Sequence, residues 1–106
     1  IPQLVQVLHD EFGDKMPQFF VLTELLVSRT KNLLRLIVSL DRSLTLSEFN
    51  ALAKKIGVPD QNLSATFEVL KRSGCITISD KGELSVQEVG KQFLRFETRL
   101  AQIYGN

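Results

Sequence analysis

The sequence predicts a mainly α domain carrying one small β-hairpin, and three observations predict it. Apolar residues recur at helical spacing through most of the chain. Strand-like alternation is confined to residues 75–79 and 84–86. Gly13, Gly57, Gly74 and Gly82 fall at the boundaries between these segments. With 106 residues, 43% hydrophobic and 24% charged, the chain suffices for one core and therefore one domain, residues 1–106.

The elements follow in order. Residues 3–12 place Leu4, Val5, Val7, Leu8 and Phe12 on a helical stripe that stops at Gly13, where a left-handed stop is cheap. Pro17 suits the first turn of the next helix, because the N–H it lacks would have had no partner there. That helix runs through Phe19, Phe20, Leu22, Leu25 and Leu26. The polar run Ser28-Arg29-Thr30-Lys31-Asn32 separates it from Leu33, Leu34, Leu36, Ile37, Val38 and Leu40, either as a break capped by Thr30 or as the bend of one long helix. Asp41-Arg42-Ser43 ends this stretch, and Leu44-Thr45 forms a short strand.

Thr45-Leu46-Ser47-Glu48 has the spacing of a capping box, in which hydroxyl and carboxylate each satisfy an orphan N–H at a helix start. The helix it opens has Phe49, Leu52, Ala53 and Ile56 as its core stripe and ends at Gly57. Val58 precedes a proline and leaves the helical region, and Asp60 is expected to cap the next helix. That helix buries Leu63, Thr66, Phe67 and Leu70, leaves Gln61, Asn62, Ser64, Ala65, Glu68 and Arg72 outside, and closes at Gly74. The two strands that follow form a hairpin with Lys81 at its tip and Gly82 supplying a positive φ.

Ser85-Val86-Gln87-Glu88 repeats the capping-box spacing and is expected to start the last helix at once. There Val86, Val89, Phe93, Phe96, Leu100 and Ile103 alternate three and four positions apart, a heptad seam. Either the chain's own N-terminal helices cover this seam or a second copy does. Two terminal helices this apolar favour a homodimer sealed by both ends of the chain, through Phe19, Phe20, Leu22, Leu26, Phe93, Phe96, Leu100 and Ile103.

Composition narrows the function. Net charge is +1, but residues 1–28 sum to −3 and residues 29–57 to +4, so the basic segment coincides with the start of the helix pair. No apolar run reaches the roughly 20 residues of a membrane span. Cys75 is the single cysteine, which excludes an internal disulfide and fits a reducing cytoplasm. Beginning a buried strand, it reads as an inert core thiol. His9 is the one histidine and lies far from Cys75, so no catalytic dyad is expected; no cluster has metal-ligand spacing, and no cofactor is expected either.

Residues 44–90 resemble the winged helix-turn-helix superfamily of transcriptional regulators, and helices on both flanks resemble the layout of its MarR branch. The resemblance rests on Leu44-Thr45-Leu46-Ser47-Glu48, Ala53-Lys54-Lys55-Ile56-Gly57-Val58, Leu70-Lys71-Arg72-Ser73-Gly74-Cys75-Ile76 and Leu84-Ser85-Val86-Gln87-Glu88-Val89-Gly90. It implies N-terminal helices over 1–40, helix-turn-helix and wing over 41–86, and a C-terminal helix over 87–106, the flanking helices serving dimerisation. Three features depart from the pattern: extra length before Ala53, a wing with a single basic residue, and a second helix with Glu68 and no early arginine.

The resemblance implies a transcriptional regulator, or a plasmid- or phage-type replication or partition factor, bound to double-stranded DNA as a homodimer. Gln61, Asn62, Ser64 and Ala65 would face base edges, while Thr45, Ser47, Lys54, Lys55, Lys71, Arg72 and Lys81 would contact phosphates. The alternative is a winged helix that holds protein partners within a larger assembly without touching DNA. Near-neutral charge favours that alternative, and the amide-rich helix start favours DNA.

Overall fold

A computed structural model describes residues 2–104, with the side chains of residues 6–104. The chain is mainly helical with a small three-stranded antiparallel sheet. Helix α1 (Pro2–Phe12) turns through a 3-10 segment at Gly13–Lys15 into α2 (Met16–Leu25) and α3 (Ser28–Leu40). Strand β1 (Leu44–Thr45) leads into α4 (Leu46–Lys55). A 3-10 turn (Asp60–Asn62) precedes α5 (Leu63–Arg72), then β2 (Ile76–Ile78), β3 (Glu83–Val86) and α6 (Glu88–Tyr104). Leu4 and Val5 of the first predicted stripe lie outside the residues whose side chains are described.

Local chemistry accounts for most boundaries. Thr45 accepts from the Glu48 N–H at 3.1 Å and Glu48 accepts from the Thr45 N–H at 3.0 Å, so the predicted capping box is complete. Helices α4 and α5 close alike. Gly57, at φ +96°, donates to the Lys54 carbonyl while Val58 donates to Ala53; Gly74, at φ +82°, donates to Lys71 while Cys75 donates to Leu70. This paired bonding satisfies carbonyls left over at a helix end and needs a left-handed residue where glycine has no Cβ penalty.

Three local expectations are corrected. The break between α2 and α3 falls at Leu26 and Val27, both extended, so Thr30 lies buried within α3 and caps nothing. Asp60 makes no cap bond: Pro59, at φ −61° and ψ 149°, starts the 3-10 turn, and α5 begins three residues later than Asp60. Ser85 does not open α6, because it pairs with Thr77 inside the sheet, its hydroxyl 3.3 Å from that of Ser43. The predicted strand Leu44–Thr45 forms as β1 and joins the hairpin in one sheet: β3 lies between β1 and β2, with Leu44 opposite Leu84 and Ile76 opposite Val86.

The predicted interchain seam is corrected as well. Phe19, Leu22, Leu26, Phe93 and Phe96 are buried in the chain's own core, and Leu100 and Ile103 are half-buried against it. The pairs Glu11–Arg99, Phe12–Phe96 and Lys15–Gln92 show α1 and its following turn running antiparallel to α6. Phe12, Phe19 and Phe96 interlock with ring centroids 5.2–5.5 Å apart, an arrangement that adds aromatic attraction to burial. Val86, the first residue of the predicted stripe, ends β3 and pairs with Ile76, while Val89, Phe93, Phe96, Leu100 and Ile103 do lie on α6; what covers them is the same chain. Of the eight residues only Phe20 remains open to solvent, although it also packs edge-on against Phe96 at 5.2 Å.

Candidate functional site

The site follows from how α5 is held. Phe67 meets Phe49 of α4 edge to face at 5.6 Å, Leu70 is fully buried, and Leu63 and Thr66 are half-buried. One side of α5 is thereby fixed to α4, and its polar side points away from the core. Gln61 and Asn62 in the 3-10 turn, with Ser64 and Ala65 in the first turn of α5, are all exposed. Among the described residues neither amide side chain is engaged in an internal hydrogen bond, so four donors and two acceptors face solvent together.

The seven residues expected to contact phosphate all lie at the surface but differ in what they offer. Lys54 stands 3.5 Å from Asp60, and Arg72 stands 3.4 Å from Glu68, so two of the cations face carboxylates of the same chain. Both pairs are exposed and weak. Lys55, Lys71 and Lys81 have no ion-pair partner among the described residues. Ser47 is exposed in the first turn of α4, and the Thr45 hydroxyl accepts from the Glu48 N–H.

Arg42 and Glu48 shape the start of α4. The guanidinium donates to Glu48 at 2.8 Å and to the Ser43 carbonyl at 3.0 Å. Together with the Thr45 N–H, Arg42 holds the Glu48 carboxyl down at about 2, far below its ordinary 4.5, and Glu48 in return raises Arg42.

The hairpin turn is ordered by Ser79, whose hydroxyl accepts from the N–H groups of Lys81 and Glu83 while its carbonyl accepts from Gly82 at 2.9 Å. Lys81 is exposed at the tip, but Asp80 and Glu83 are exposed beside it.

Arg29, one of the cations of the basic segment 29–57, also stands at this surface. It lines a cleft of about 410 Å³ with Pro59 and Asn62, bringing the start of α3 to the edge of the α5 surface. Its one signal is its position in the basic run; no local pattern shows that residues 29 and 62 line one cleft.

Cys75 is buried, and burial pushes its thiol above the ordinary range, with Ser73 only partly offsetting the effect. A thiol so held is a poor nucleophile. His9 is exposed on α1. Among the described residues no group of three or more His, Cys, Asp or Glu is arranged to hold a metal, and no helix is long and apolar enough to cross a membrane. Comparison with protein-family models, curated proteins and solved structures finds no match.

Proposed function

We propose that this chain is a winged helix-turn-helix protein that binds double-stranded DNA sequence-specifically, as a homodimeric transcriptional regulator or a plasmid- or phage-type replication or partition factor. The observation that carries the reading is the free polar end of α5, where Gln61, Asn62, Ser64 and Ala65 stand uncovered while Phe67 and Leu70 anchor the opposite side. In helix-turn-helix proteins the second helix of the pair enters the major groove with this end at the base edges. Amides pair with the acceptor and donor of adenine, and an alanine methyl meets that of thymine. The chain order α3, β1, α4, α5, β2, β3 and the sheet order β1-β3-β2 fit the same plan.

Lys55, Lys71, Lys81 and Arg29 supply phosphate contacts, joined by the Thr45 and Ser47 hydroxyls and by Lys54 and Arg72 once they leave their carboxylates. For the homodimer, the seam buried within the chain is replaced by the outward side of α2, where Phe20, Val21 and Leu25 are 41%, 64% and 50% exposed.

A protein-interaction module without DNA contact is the second reading. It is favoured by the carboxylates of Asp60, Glu68, Asp80 and Glu83, which weaken the positive potential on the α5 and hairpin side.

Selection from a random duplex library separates the two. The DNA reading expects one consensus for the parent chain, and Asn62→Ala is expected to alter preference at a single position by about 1–3 kcal/mol. Selection that yields no consensus supports the interaction module.

A further inference from the structure

Away from α5 and the hairpin, α1, α3 and α6 enclose a groove of about 490 Å³. Its floor is apolar, from Val38 and Leu94, and its rim carries Arg35, Lys91, Arg95 and Arg99 against one carboxylate, Glu11. For a chain of net charge +1, this is a pronounced local concentration of cations. Two of the four have carboxylates of their own: Arg95 lies 3.1 Å from Glu88, and Arg99 lies 3.2 Å from Glu11. The contact at Arg99 is incomplete, because its Nε is shielded from solvent yet lacks a hydrogen bond of good angle. Among the described residues Lys91 and Arg35 have no ion-pair partner, although Arg35 donates to the Asn32 amide at 2.9 Å. A smaller cavity of about 220 Å³ adjoins this groove, sharing Val38 and Lys91 and adding Arg42 and Ser85.

We propose that this groove docks an acidic amphipathic helix of a protein partner. One apolar side chain of that helix seats on Val38 and Leu94, and carboxylates three or four positions away pair with Lys91 and Arg35. Residues at that spacing lie on one helix face, and helix-in-groove binding is read through such anchors. An arriving carboxylate also supplies the half-buried Lys91 with the counter-charge that the chain does not provide. A nucleic-acid backbone fits less well, since phosphates have nothing to place on the apolar floor of Val38 and Leu94. None of the groove residues belongs to the surface assigned to DNA, and the proposal does not rest on that assignment.

The test uses a displayed library of random peptides of roughly 16 residues, about four helical turns. It is selected in parallel on the parent chain and on the double variant Arg35→Glu/Lys91→Glu. Peptides enriched on the parent are expected to carry an apolar residue flanked by Asp or Glu and to be lost on the variant. In fluorescence anisotropy the leading peptide is expected to bind the parent at least about tenfold more tightly than the variant, and to weaken at least about tenfold when its own carboxylates become amides. Thermal melts compare the folding of parent and variant, and Arg35→Gln/Lys91→Gln replaces the charge reversal if that variant unfolds. Enrichment without acidic residues, or equal binding to parent and variant, overturns the proposal. So does a loss of duplex affinity in the variant with peptide binding unchanged, which would assign the groove to nucleic acid.

Discussion

Gly90 lies against the backbone of Cys75: a Cβ built at Gly90 would stand 2.9 Å from the Cys75 carbonyl oxygen and 3.2 Å from its Cα. One turn earlier, Gln87 donates its N–H to the same carbonyl at 2.7 Å. The start of α6 is thus fixed to the lead-in of β2, and only glycine permits that approach. Gly90→Ala is expected to destabilise the fold by about 1–3 kcal/mol, since backbone rather than a flexible side chain must move. Urea unfolding measures it, and an unchanged midpoint would show that the contact yields freely.

Glu48 predicts how stability responds to acid. Its carboxyl is held at about 2 in the folded chain against an ordinary 4.5. A depressed folded value means that the stabilisation is fully present above the unfolded pKa and is lost as pH falls from about 4.5 through about 2. Glu48→Gln keeps the capping geometry but removes the charge. Melting temperatures followed over this range are expected to fall less for the variant than for the parent, and added salt is expected to narrow the difference because the pair is exposed. Parallel profiles would contradict the assignment.

The outward side of α2 predicts the oligomeric state. Val21 is 64% exposed and lies outside the core cluster, so Val21→Asp should leave the fold intact. Sedimentation is expected to give two chains of 12.0 kDa for the parent and one for the variant. A parent that sediments as a single chain, or a variant that stays paired, would remove this face from the interface.

What could be read from the sequence was what is decided locally. Thr45 and Glu48 meet across one helical turn, and Gly57 and Gly74 stop helices through bonds within five residues, so these features were legible in order. Identical spacing at Ser85 and Glu88 misled, because pairing of Ser85 with Thr77 in the sheet prevails over the helix start. Asp60 misled for a similar reason: Pro59 fixes the backbone ahead of it into a 3-10 turn. The apolar periodicity of Phe93 and Phe96 was plain, yet periodicity states that a face is covered and not by what; Phe12 and Phe19 cover it. The exposed side of α5 was legible from its polar residues. The cleft shared by Arg29 and Asn62 and the grouping of Arg35 with Lys91 were not, since each joins distant segments.

The central claim is that the uncovered end of α5 reads duplex DNA while nearby lysines hold the phosphates. Its most direct test is the affinity for a selected duplex across a series of salt concentrations. Each phosphate neutralised contributes about 0.9 to the slope of log affinity against log salt. The account predicts a steep slope for the parent and a slope lower by about 1.8 for Lys55→Ala/Lys71→Ala, with base preference unchanged. An affinity indifferent to salt, or a slope the double variant leaves unaltered, would contradict it.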